Sequence, residues 1–412
     1  MTIRLQKKLP GLVNMKFAVL IGDGMGDYPR DDLGGKTVLE VADTPNMDWI
    51  ASNGRGGLAQ TIPPGMNPGS AVANMEIMGY DTTSKFTGRA VFEALSMGRH
   101  IKEDDVAFRA NLVTLENGHM KDYSAGHITT QEAADIMQDL DEKIGSDVIR
   151  FYPGVSYRHL MIWSGGTDAM TTTPPHDIIG QEYKQYLPMG EGADYLRALT
   201  EKSQEVLTDA LVNKKRTASG KLPANSIWLW GQGKKLDLKS IGEKYGIRGS
   251  VISAVDLIKG IGVAAGLKPV FVPGATGYID TNYQGKAEAA LDILESSDFV
   301  YLHVEAPDEA SHNGDVSMKI TAIEDFDSKV VGPVLEKLKK QDDMAVLVTC
   351  DHRTPVIKRT HTSEPVPYAY YGPGLTKDGM ESYSERAAES GAIPIIEGHN
   401  LLGLFIGDFI TL

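Results

Sequence analysis

Two aspartates and three histidines between positions 308 and 361 have the types and spacing of metal-ligating side chains. Asp308 and His312 stand four apart, the separation that puts two side chains on one face of a helical turn. Asp351 and His352 are adjacent at the end of an apolar run, where their side chains can diverge toward two ions, and His361 follows in the next loop. Carboxylate with imidazole is a donor mixture that suits divalent manganese or zinc. Each residue alone reads as an ordinary loop or capping residue. Gathered at two successive strand exits, they point to a metal centre.

The elements that must position them are short apolar runs. Phe299 to Val304 and Met344 to Thr349 are rich in Val and Leu and are preceded by helical patterns, so they read as buried parallel strands. Open α/β sheets gather ligands at the carboxyl ends of such strands. Lys16 to Ile21 is a third run and ends in Gly22-Asp23-Gly24-Met25-Gly26-Asp27. That Gly-rich turn lacks dinucleotide-binding spacing. Asp23 takes the same place as Asp351, and an ordinary turn aspartate explains it equally well.

Ser70 follows the stiff loop Pro63-Pro64-Gly65-Met66-Asn67-Pro68-Gly69 and precedes a helix over Ala71 to Met78. A serine there reads first as a simple N-cap. A helix N-terminus is also an anion site, and a serine beside a metal can act as a nucleophile on phosphorus. Thr44-Pro45 marks another helix start, with Gly54 as its C-cap.

Strands alternating with helices predict an α/β fold, a doubly wound and mostly parallel sheet. From Ala107 the pattern changes to strand–strand–helix–strand–strand, with a hairpin at Glu116-Asn117-Gly118-His119 and a helix over Thr130 to Ile144. This predicts a small inserted α+β domain over 105–180, with 1–104 and 181–412 forming the main domain. Alternation is then expected to resume with a long helix over Ala193 to Val212 and a strand over Ser226 to Trp230. A further long helix is expected over Met318 to Lys340.

The net charge of −14 and the lack of Lys/Arg-rich runs disfavour nucleic acid as a partner. No apolar run reaches membrane-spanning length, and residues 1–14 read as a polar leader without a signal-peptide core, with Met15 as an alternative start. The single cysteine, Cys350, permits no intrachain disulfide and reads as a small strand residue. A cytoplasmic enzyme is expected.

With these residues on the page, the chain resembles the alkaline phosphatase superfamily. Within it, the chain is similar to the cofactor-independent phosphoglycerate mutases of the archaeal type. The resemblance runs from Met15 to the C-terminus. It is carried by Gly22 to Asp27, Pro68-Gly69-Ser70, Gly79-Tyr80-Asp81, Thr87-Gly88-Arg89 with Phe92 to Leu95, Ala107-Phe108-Arg109 and Ile258-Lys259-Gly260. Gly274-Ala275-Thr276-Gly277, Asp308 to Asp315, and Asp351 to Pro355 with His361 complete it. It implies an alkaline phosphatase-like sheet and two divalent ions, manganese first, with zinc or cobalt as substitutes. Asp308, His312 and His361 would hold one ion, and Asp23, Ser70, Asp351 and His352 the other. Ser70 would become phosphoserine while 3- and 2-phosphoglycerate interconvert, and the inserted domain would cover the substrate.

Small phosphorylated acids need cationic partners. The candidates are Arg109, His127, Arg158, His176, Arg248 and Lys259, while Arg89 could instead cap or pair near the serine's helix. The chain departs from the family pattern at Ala71, Asn74 and Ser311-His312-Asn313. Those positions leave two alternatives open: homoserine kinase, proposed for a related bacterial branch, and a phosphatase of the same superfamily.

Overall fold

The computed structural model describes residues 15–389 and 394–410, so the leader expected at 1–14 lies outside the described residues. The chain divides into two compact units, one formed by 1–86 with 238–412 and the other by 87–237.

Fifteen strands are present among the described residues. β1 (Lys16–Gly22) and β2 (Arg55–Gln60) open the first unit. The second supplies β3 (Asp105–Glu116), β4 (His119–Asp122), β5 (Ile149–Val155), β6 (Arg158–Ser164), β7 (Met170–Thr171), β8 (Met189–Gly190) and β9 (Ser226–Lys234). The first unit resumes with β10 (Gly249–Ile252), β11 (Lys268–Val270), β12 (Phe299–Val304), β13 (Met344–Thr349), β14 (Val366–Tyr371) and β15 (Ile396–Glu397).

The first unit is the expected mostly parallel sheet, in the order β11-β10-β12-β1-β13-β14-β2-β15. Its centre is parallel throughout, and β14 runs antiparallel to both β13 and β2. Every residue of β12 and β13 is buried, which is why these strands read as unbroken apolar runs rather than alternating ones. Leu20, Leu302, Val346 and Val348 pack against Ile323, Phe326, Val330 and Leu335 of the following helices. The expected long helix over 318–340 is present as Val316–Phe326, a π turn at Asp327–Val331, and Gly332–Leu338. The register sets the site: Ile21 pairs with His303 on one side and Thr349 on the other, so three strands end level.

The second unit is wider than the 105–180 expected. β9 pairs antiparallel with β3 from Val106 to Val113, so a strand that reads as part of the main alternation belongs to the insert's sheet. Helices Thr130–Ile144 and Ala193–Thr208 bury Ile136, Met137, Leu140, Leu196 and Leu199 against Phe108, Ala110 and Leu112. The expected helix over 193–212 stops at Thr208, and Leu211–Ala218 begins a separate one. Among the described residues no helix is long and apolar enough to cross a membrane.

Candidate metal and nucleophile centre

Asp23 leaves β1 with its N–H donated to the Val304 carbonyl (2.8 Å), which fixes the strand exit against β12. Gly24 follows in the left-handed conformation, φ 63°, and a Cβ there would lie 2.6 Å from Asp308 Oδ1 and Thr354 Oγ1. Only glycine lets the loop pass so close to these side chains. Asp351 leaves β13 and accepts the N–H groups of Gly24 (3.1 Å) and His352 (2.9 Å) on Oδ1.

Helix Ala306–Asn313 begins just past β12, and Pro307 in its first turn suits a helix start. It places Asp308 and His312 on one face, 3.1 Å apart. His361 reaches the same point, with Nε2 3.1 Å from His312 Nε2 and 3.6 Å from Asp308 Oδ1. His312 Nδ1–H donates to the Arg359 carbonyl (3.0 Å), which turns its Nε2 toward Asp308 and His361. Two imidazole nitrogens facing each other at that distance need a proton or a cation with them.

The second group lies beside the first, and the His352 and His361 rings are 4.3 Å apart. The Thr354 hydroxyl donates to Asp308 Oδ1 (2.5 Å), so the hydrogen between it and His352 Nδ1 (3.1 Å) belongs to the histidine. That tautomer leaves His352 Nε2 bare, 3.2 Å from Ser70 Oγ, 3.4 Å from Asp23 Oδ1 and 3.5 Å from Asp351 Oδ2. Ser70 is the first residue of helix Ser70–Ile77 rather than its N-cap. Gly69 holds the cap position without a side-chain hydrogen bond, which frees the serine hydroxyl from capping. The first N–H groups of that helix are orphan donors, the usual setting for an anion.

The donor set fits divalent cations. Among the described residues Asp23 Oδ1 and His303 Nε2 are buried and make no well-aligned hydrogen bond, although each has a charged or ring neighbour within 3.4 Å. Burial, then repulsion from Asp351 and Asp308, drives the Asp23 carboxyl well above the ordinary range. Burial with Glu309 and Asp308 pushes Glu305 up to about 8. A cation relieves this crowding of like charge. Donor atoms converge in the groups Asp308–His312–His361, Asp23–Asp308–His352 and Asp23–His303–Asp351.

His303 went unnoticed in the sequence because it lies inside an apolar strand; its fifth place in Phe299–Val304, level with Ile21, was the available signal. Its Nε2 is 3.1 Å from Asp23 Oδ2.

The substrate-binding candidates divide. Arg109 is buried, pairs with Glu93 (3.0 Å) and stacks over Trp230 at 4.1 Å. His176 meets the same indole edge-on at 5.5 Å and Tyr123 at 6.1 Å; Tyr123 meets Tyr157, under Arg158. A row of rings thus joins Arg109, His176 and Arg158 within the inserted unit. His127 is exposed, at φ 49°. Lys259 pairs with Asp256 at 2.8 Å in helix Asp256–Ala264. Arg248 is not brought to the centre. It precedes β10, at the amino end of the sheet, a strand length of roughly 13 Å from the carboxyl ends.

A doubly wound, mostly parallel α/β sheet that gathers two abutting Asp/His groups and a helix-borne serine at the carboxyl ends of its strands defines a class, that of α/β units with a candidate cation centre at the strand exits. Residues 51–213 match the family model described as 2,3-bisphosphoglycerate-independent phosphoglycerate mutase. A Methanosarcina barkeri protein of that name is 51% identical over 395 residues, covering 95% of this chain and 99% of the relative. A Geobacter sulfurreducens protein described as a probable member is 50% identical, covering 95% and 100%. Among solved structures, the cofactor-independent phosphoglycerate mutase of Thermoplasma acidophilum superposes with a TM-score of 0.68 at 27% identity, covering 96% of this chain and all of that one. A Pyrococcus horikoshii protein superposes with a TM-score of 0.82 at 29% identity, covering 97% and 98%. The chain belongs to the 2,3-bisphosphoglycerate-independent phosphoglycerate mutase family.

Proposed function

We propose that the protein interconverts 3-phosphoglycerate and 2-phosphoglycerate through a phosphoserine on Ser70. The observation that carries this is the Ser70 hydroxyl, uncommitted to capping, 3.2 Å from His352 Nε2 among buried carboxylates. The relatives' shared name supports the same reaction.

Asp308, His312 and His361 would hold one divalent ion, and Asp23, Ser70, Asp351 and His352 the other, with manganese the first choice and zinc or cobalt as substitutes. When bound, the ions lower the pKa of the serine hydroxyl and screen the phosphoryl charge. Ser70 Oγ then forms its bond to phosphorus as the phosphorus–oxygen bond to the glycerate breaks. The serine proton ends on the freed glycerate oxygen. The N–H groups that open the Ser70 helix receive the phosphoryl oxygens. The glycerate turns, its other hydroxyl attacks phosphorus as the phosphorus–Oγ bond of the phosphoserine breaks, and that hydroxyl's proton goes to Ser70 Oγ. Arg109, Arg158, His127, His176 and Lys259 are proposed to bind the substrate's anionic groups.

The test is 3-phosphoglycerate with manganese and no nucleotide, followed by phosphorus NMR. Formation of 2-phosphoglycerate without free phosphate is expected. Release of phosphate alone would mean a phosphatase, and ATP-dependent phosphorylation of homoserine without mutase turnover would mean a kinase.

A further inference from the structure

Asn74 lies one helical turn beyond Ser70 and is fully buried. Its amide nitrogen donates to Asp351 Oδ2 at 2.8 Å and to the Ser70 carbonyl at 2.9 Å. Its amide oxygen accepts from the Tyr301 hydroxyl at 2.6 Å. Tyr301 is itself fully buried, midway along β12 between Val19 of β1 and Val251 of β10. Three elements thus meet on one amide: the helix that carries the serine, the exit of β13 that carries Asp351, and the central strand β12.

The amide can stand only one way round. Reversed, its carbonyl would face the Asp351 carboxylate, acceptor against acceptor, and its NH2 would face a phenol that must then serve as acceptor. Asp351 therefore has Oδ1 held by two backbone N–H groups and Oδ2 held by Asn74, so its remaining lone pairs have fixed directions.

We infer that Asn74 and Tyr301 form a positioning pair that locks the first turn of the Ser70 helix to Asp351 and so sets the nucleophile's place relative to the metal ligands. The inference rests on the reading of Asp351 as a ligand and Ser70 as the nucleophile. Neither residue of the pair belongs to the groups proposed to hold the ions or to take the phosphoryl group. They act by removing the freedom of two residues that do. The same helix position was noted as a departure from the family pattern, and the geometry gives the asparagine a definite task.

The test compares wild type with Asn74→Ala, Tyr301→Phe and the double variant. Folding is checked by circular dichroism, manganese affinity and stoichiometry by calorimetry, and turnover with 3-phosphoglycerate. Loss of an outer partner of a metal ligand weakens metal binding or activity by about 10–100-fold. Asn74→Ala should lose that much manganese affinity at one of two sites, with kcat reduced and KM nearly unchanged. Tyr301→Phe removes a single hydroxyl and should show a smaller loss of the same kind. The double variant should be no worse than Asn74→Ala, because the phenol acts only through the amide. If Asn74→Ala fails to fold, Tyr301→Phe carries the test alone. A wild type that binds two ions while folded variants keep its affinity and kcat overturns the pair's role. Additive losses in the double variant overturn it too. A wild type that binds no manganese overturns the metal reading itself, and the pair's role with it.

Discussion

Lys319 and Asp27 form an ion pair wholly removed from solvent, with Nζ 3.0 Å from Oδ2. Lys319 also donates to the carbonyls of Gly26 (3.1 Å) and Thr354 (3.0 Å), while Asp27 Oδ2 accepts the Val356 N–H (3.1 Å). The pair therefore ties the loop after β1, which bears Asp23, to the loop after β13, which bears Asp351 and His352.

Lys319→Met should leave Asp27 as a buried, unpaired carboxylate and cost about 3–5 kcal/mol of stability. Adding Asp27→Asn should recover part of that loss, because the stranded charge is then gone. Urea unfolding of wild type and the two variants measures this. A Lys319→Met protein as stable as wild type would contradict the tie.

Ser70→Ala should lower kcat by roughly a thousandfold or more, because covalent transfer needs the hydroxyl oxygen. The melting temperature should stay close to wild type, since the helix cap is Gly69 and the serine side chain caps nothing. Rapid-quench mass spectrometry should find phosphate on Ser70 in wild type and on no residue of the variant. Near-normal turnover by the variant would rule out the phosphoserine route.

His361→Ala removes a partly exposed imidazole from the Asp308–His312 group without emptying core volume. About one divalent ion per chain should be lost while the far-ultraviolet spectrum is retained. Elemental analysis after dialysis reads the stoichiometry. Exhaustive chelation of wild type should abolish turnover, and manganese should restore it. Full activity in protein shown to be free of metal would end the metal assignment.

His159 sets a pH dependence in the inserted unit. It is buried on β6, its Nδ1 accepts the Gly154 N–H (2.9 Å), and its Nε2 has no hydrogen-bond partner among the described residues. Burial lowers its pKa from 6.5 to about 3. The folded state thus binds this proton less readily than the unfolded chain. Stability from this group is full above pH 6.5 and falls as pH drops toward 3, by about 1.4 kcal/mol per pH unit. Unfolding at pH 8 and pH 5 should show the loss, and His159→Gln should flatten it. An unchanged slope in that variant would exclude His159 as its source.

Much of the candidate centre was legible in the sequence because the residues proposed as its ligands follow local rules. Asp23 and Asp351 sit at the ends of unbroken apolar runs, and Asp308 and His312 share a helical face by their spacing alone. Ser70 was marked by a Pro/Gly loop that must stop before a helix. Tertiary structure decided what depends on pairing between distant segments. His303 faces Asp23 only because β12 lies beside β1 in one register. Asn74 reaches Asp351 and Tyr301 across more than two hundred positions, and no local pattern announces such a contact. β9 joins the insert by pairing with β3, so the boundary at 237 rests on a partner chosen in space, where a strand's own sequence records its burial but not its neighbour. Arg248 was a charge of the right kind at the amino end of its strand; the direction in which the sheet's strands run, set by the parallel packing of β10 on β12, removed it from the centre.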